Sequence, residues 1–108
     1  MYAATKAAME AYVRCWAEAF GGKESQFDFM AGTTANSLQV GLTKTEALTR
    51  HGSEAVEKIK QEFVPQMSIP RIGECEDVAD VVGLLCSRDA RWITGSVVAA
   101  DGGTIKVL

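Results

Sequence analysis

Basic clusters, long apolar runs and paired cysteines are all missing from this 108-residue sequence, and each absence removes a class of function. Lys and Arg number 11 against 14 Asp and Glu, for a net charge of −3 and a pI of about 5.1. Binding nucleic acid through its phosphates needs a positive face, and no stretch here supplies one. No apolar run approaches the roughly 20 residues that span a bilayer. The N-terminus is amphipathic and lacks the charged and apolar regions of a secretory signal. The three cysteines, Cys15, Cys75 and Cys86, are widely spaced and form no Cys-x-x-Cys. They read as free, mostly buried thiols of a reducing, cytoplasmic compartment. The one histidine, His51, has no ligand spacing around it, which argues against a metal.

What is present reads as one globular domain spanning residues 1–108, with 47% hydrophobic and 23% charged residues. Residues 2–20 are rich in alanine, the strongest helix former. Tyr2, Lys6, Met9, Val13, Trp16 and Phe20 share one stripe, and Ala4, Ala8, Tyr12, Cys15 and Ala19 a second. A helix apolar on most of its circumference is expected to be buried on more than one side, and Gly21-Gly22 ends it. Residues 33–41 are a strand candidate. Residues 45–64 read as helix in two pieces, broken near Gly52, with Ala55, Val56, Ile59 and Phe63 as its apolar face. Pro65 and Pro70 bracket an extended connection. Residues 74–87 form a helix with acidic residues in its first turn, as the macrodipole favours. Val78, Val81, Val82, Leu85 and Cys86 are expected to face a core. Residues 95–100 form a second strand, left through Asp101-Gly102-Gly103. Helix, strand, helix, helix, strand suggests an α/β chain with a parallel crossover. Two parallel strands need more sheet around them, so the chain reads as a piece of a larger sheet that oligomerisation completes.

Tyr2 and Lys6 lie four residues apart at the head of the first helix, which puts phenol and ammonium on one face. An ammonium close to a phenol favours the phenolate, which suits acid–base work near neutrality. Asn36-Ser-Leu-Gln-Val-Gly41-Leu-Thr-Lys-Thr45-Glu46 follows the helix. Then come Arg71-Ile-Gly73-Glu-Cys-Glu76-Asp77-Val78-Ala79, Trp92-Ile-Thr94-Gly95 and Asp101-Gly102-Gly103. In order and spacing these blocks resemble the C-terminal half of the short-chain dehydrogenase/reductase family. The resemblance implies a partial Rossmann-like, doubly wound fragment of an NAD(P)(H)-dependent carbonyl/alcohol oxidoreductase. It implies that Tyr2 is the general acid/base, and that Lys6 eases its ionisation and binds the nicotinamide ribose. Gly41, Leu42, Thr43 and Thr45 match the segment that lies along the cofactor, and residues 46–64 match the substrate-covering helices. Helix 2–20 and strand 95–100 match the family's two subunit interfaces.

The departures bear on activity. The Gly-rich turn that holds a dinucleotide pyrophosphate has no counterpart in these 108 residues, nor does the carbonyl-polarising serine. Val40 and Cys75 stand where the family has proline. The isolated chain is therefore expected to be truncated, to bind no cofactor tightly and not to be redox-competent alone. Two alternatives stand beside this reading. One is a repurposed, non-redox isomerase, cyclase or dehydratase, whose dimer builds an apolar substrate pocket from Trp16, Phe20, Phe27, Phe29 and Met30. The other is a non-catalytic subunit that docks on a full-length reductase. His51, in the lid, reads as a surface residue or a substrate contact. Trp16 and Trp92 read as core or interface residues. The run Glu74-Cys-Glu76-Asp77 reads as a solvated helix start.

Overall fold

The structure, a computed structural model, describes residues 1–23 and 25–104. Its regular elements run α1 (Tyr2–Glu18), β1 (Ser37–Val40), α2 (Glu46–Thr49), α3 (Ser53–Phe63), α4 (Cys75–Leu85) and β2 (Val97–Ala100). Short 3₁₀ turns occupy Ser25–Met30, Val64–Gln66 and Arg88–Ala90. Among the described residues β1 and β2 form a two-stranded sheet. It is parallel: Ser37 N–H donates to Ser96 O at 2.9 Å, and four residues on, Gly41 N–H donates to Ala100 O at 3.0 Å. This is the expected α/β fragment, with shorter strands than expected at 33–41 and 95–100. The chain divides into two compact units, residues Met1–Leu38 with Gly83–Val98, and residues Gln39–Val82 with Ala99–Leu108.

In the first unit, α1 leaves its α-helical form at Glu18 and passes through a wider turn over Ala19–Lys23, where Gly22 has φ 100°. Ala17, the one buried residue of α1, lies close to Gly95, where a Cβ would sit 3.5 Å from the Ala17 methyl. The start of β1 is stitched to residues 93–96 by a side chain. Asn36 Nδ2 donates to Ile93 O at 2.8 Å, and Asn36 Oδ1 accepts from Ser96 N–H at 3.1 Å. Thr94 Oγ1 accepts from Ala35 N–H, and Gly95 N–H donates to Ala35 O at 2.7 Å. An amide that both donates and accepts here extends the ladder where the strands themselves are short.

In the second unit, the end of β1 meets the exit of β2. A Cβ on Gly41 would lie 2.8 Å from the Asp101 Cβ and closer still to its backbone, so only glycine fits. Asp101 is buried; its Oδ1 accepts from Gly103 N–H at 2.8 Å and its carbonyl accepts from Thr104 Oγ1 at 2.7 Å. Gly102 and Gly103 turn out of the strand with φ of 63° and 75°, where other residues are strained. Ile69 N–H donates to Gly102 O at 2.8 Å, which draws the Met67–Ile69 stretch onto this turn, and Met67 is buried. The helical region breaks at Gly52, as expected, into α2 and α3.

Several burial expectations are overturned. The three thiols are free but exposed rather than mostly buried. Apart from Ala17, α1 is exposed or half-buried, not covered on several sides. On α4, Val78, Val81 and Leu85 are half-buried, whereas Val82 and Cys86 are exposed. Trp92 is 95% exposed and so is no core residue, and Trp16 is 49% exposed. One cause serves all of these. The apolar faces exceed the surface that the described residues offer to cover them, and among those residues only Ala17, Met67 and Ala90 are buried hydrophobics.

Candidate functional site

Tyr2 and Lys6 stand one turn apart on α1, as the spacing requires. Lys6 Nζ lies 5.4 Å from the centre of the Tyr2 ring, over its face, in a cation–π contact. Tyr2 is 77% exposed. The helix starts at this tyrosine with no side-chain cap; Thr5 Oγ1 donates to Tyr2 O at 2.7 Å and tightens the first turn. One turn further along, Thr5, Ala8, Met9, Tyr12 and Trp16 line a shallow apolar groove, with the Tyr12 and Trp16 rings 6.5 Å apart. Of the other apolar candidates in this unit, Phe20 and Phe27 pack edge to face at 5.3 Å, Phe29 is exposed and Met30 is half-buried.

The segment Gly41–Thr45 belongs to the second unit and is built differently. Leu42 O accepts from Gly73 N–H at 3.0 Å, and Lys44 N–H donates to Gly73 O at 2.8 Å, so Thr43 and Gly73 form a parallel bridge outside the sheet. Thr43 Oγ1 donates to Gly41 O at 2.9 Å. Thr45 caps α2: its hydroxyl accepts from Leu48 N–H at 3.3 Å, which leaves its proton for a further acceptor. Leu42 and Asp101 border two cavities. One, of about 380 Å³, extends past Thr43 to Val78 and Val81 of α4. The other, of about 280 Å³, reaches Val40 and Phe63. His51 is exposed just after α2.

Two features escaped the sequence reading. Asn36 carries the stitch described above. Arg71 and Asp77, part of the acidic helix start, form a two-pronged ion pair, with Nη1–Oδ2 at 2.6 Å and Nη2–Oδ1 at 2.8 Å. Asp77 Oδ2 also accepts from Glu74 N–H at 2.7 Å, half of a capping box for α4. The Arg71 guanidinium and the Glu74 N–H hold the Asp77 carboxyl down to about 2. The available signal was an aspartate three residues after the start of an acidic helix, with an arginine six residues before it.

A family model described as Enoyl-(Acyl carrier protein) reductase matches residues 1–104. Short-chain dehydrogenase/reductase FrzI of a Cladobotryum species is 33% identical over 99% of this chain and 40% of its own length. NADPH-dependent aldehyde reductase 2, chloroplastic, of Arabidopsis thaliana is 38% identical over 96% of this chain and 34% of its own. The crystal structure of a Brucella melitensis short-chain dehydrogenase/reductase of the glucose/ribitol dehydrogenase type superposes with a TM-score of 0.77. It is 27% identical, over 98% of this chain and 38% of that one. The chain belongs to the short-chain dehydrogenase/reductase family. It spans between a third and two fifths of the length of these relatives. Among the described residues no helix is long and apolar enough to cross a membrane, and no cluster of metal-binding side chains is found.

Proposed function

We propose that this chain is the acid/base and substrate-covering portion of an NAD(P)(H)-dependent carbonyl/alcohol oxidoreductase. The observation that carries the reading is the Tyr2–Lys6 pair, phenol and ammonium in contact at the head of a helix whose chain matches the family from residue 1 to 104. Tyr2 Oη exchanges a proton with the carbonyl or alcohol oxygen of the substrate, and Lys6 holds positive charge beside it. In the Gly41–Thr45 segment Thr45 keeps a hydroxyl proton to give a phosphate-bearing cofactor, while Thr43 gives its own to Gly41 O and the Gly41, Lys44 and Thr45 N–H groups donate within the chain. A nicotinamide cofactor, when bound, supplies the hydride. Residues 46–64 cover the substrate, and His51 is its polar contact there.

By itself the chain carries neither tight dinucleotide binding nor redox turnover, because none of its glycines opens a helix after a strand in the manner that holds a pyrophosphate. Its unpartnered apolar surface is covered by self-association through α1 and β2. The exposed thiols suit a reducing, cytoplasmic compartment. Titrating the chain into NADPH and following nucleotide fluorescence tests the binding claim. A response without saturation is expected, and saturable micromolar binding would overturn it.

A second reading is supported by the Trp16 groove and the Phe20–Phe27 pair, which offer apolar walls on the helix that carries Tyr2 and Lys6. It is a non-redox proton-transfer enzyme acting on a small hydrophobic metabolite. Its mark is turnover with no nicotinamide added, abolished in both Tyr2→Phe and Lys6→Ala. Turnover that survives both changes would remove this pair from the mechanism.

A further inference from the structure

We propose that Arg71 and Asp77 are positioning residues, which brace the backbone of Leu42–Lys44 through the turn they clasp. Its importance for catalysis rests on the reading above that this segment lies along the cofactor. The brace itself rests on geometry within one unit.

The chain of contacts is short. Arg71 grips both oxygens of Asp77. Asp77 in turn holds Glu74 N–H at 2.7 Å, so that residues 71–77 close into a loop with both ends tied. Gly73 sits at the centre of that loop and presents its N–H and its carbonyl to the same neighbour, Leu42 O at 3.0 Å and Lys44 N–H at 2.8 Å. Two weaker ties flank this bridge: Lys44 Nζ to Glu74 Oε1 at 3.8 Å, and Cys75 Sγ donating to Lys44 O at 3.5 Å. Beyond Gly41, then, the segment past β1 is held by the 71–77 loop through main-chain bonds. An exposed single-pronged ion pair would contribute little, but a two-pronged arginine–carboxylate pair fixes direction as well as distance. Lysine cannot reproduce the fork. The clasp touches no substrate in this account; it acts by keeping the Gly73 backbone aimed at residues 42–44.

Amide hydrogen exchange, read residue by residue on the chain without nucleotide, tests the brace. Arg71→Ala and Asp77→Asn should each speed exchange at Lys44 and Gly73 about fivefold, by opening the loop locally. The Ser37 and Gly95 amides, which donate to Ser96 O and Ala35 O, serve as internal references and should keep their rates. Arg71→Lys, which keeps the charge and one bond, should restore part of the protection. Unchanged rates at Lys44 and Gly73, or equal acceleration at all four amides, would overturn the proposal. No nucleotide enters the measurement. A failure of the oxidoreductase reading would therefore leave the result standing, and a failure of the brace would leave that reading untouched.

Discussion

The helix that carries Tyr2 and Lys6 and the segment that carries Thr43 and Thr45 are held by opposite means. On α1 the Tyr2–Lys6 pair is exposed, the helix start has no side-chain cap, and one residue of the seventeen is buried. The Gly41–Thr45 segment is half-exposed too, yet its backbone is tied on both sides, to Ala100 by Gly41 N–H and to Gly73 by the bridge at Thr43. Main-chain hydrogen bonds need only nearby chain to be satisfied. Apolar helix faces need area, and the described residues do not provide enough of it. The Gly41–Thr45 backbone is thus held by main-chain bonds within its own unit, while most of α1 stays exposed.

Changes that attack the polar skeleton should hurt most. Gly41→Ala forces a methyl into the Asp101 backbone and should cost about 2–3 kcal/mol in urea unfolding; a tolerated alanine would show that the two segments are not locked together. Asn36→Ala removes one donor and one acceptor at the start of the strand pair and should cost about 1–2 kcal/mol by the same measurement. Acid should loosen the 71–77 loop. The folded carboxyl of Asp77 lies below its ordinary 3.8, at about 2, so its contribution is full above the ordinary value and is lost as the pH falls through about 2. An NMR titration of that carboxyl should find this midpoint, and Arg71→Ala should return it toward the ordinary range. The smallest effect belongs to the uncovered surface. Trp92→Ala should shift the stability of the dilute chain by under about 0.5 kcal/mol, given 95% exposure. A larger loss would show Trp92 covered by another copy even then.

Element types and their order were legible in the sequence because each has a local cause. Alanines make α1, Gly52 breaks the lid into α2 and α3, and Asp101-Gly102-Gly103 turns the chain at the end of β2. The Tyr2–Lys6 contact followed from four-residue spacing alone. Burial was not legible: an amphipathic pattern says which face wants cover and nothing about whether the rest of the chain supplies it, and so Val82, Cys86 and Trp92 stand exposed. The tips of the strands were overread for a related reason, since Ala35 and Asn36 bond to the 93–96 turn through a side chain and a loop instead of a regular ladder. The Arg71–Asp77 clasp was hidden because charge spacing across a turn carries no period.

The central proposal is that α1, exposed over most of its surface, is a face that self-association covers. Light scattering coupled to size exclusion, on the purified 108-residue chain, measures this directly. A folded species heavier than the 11.6 kDa monomer is expected, reduced in mass by Trp16→Glu on α1. A well-folded, stable monomer would contradict it.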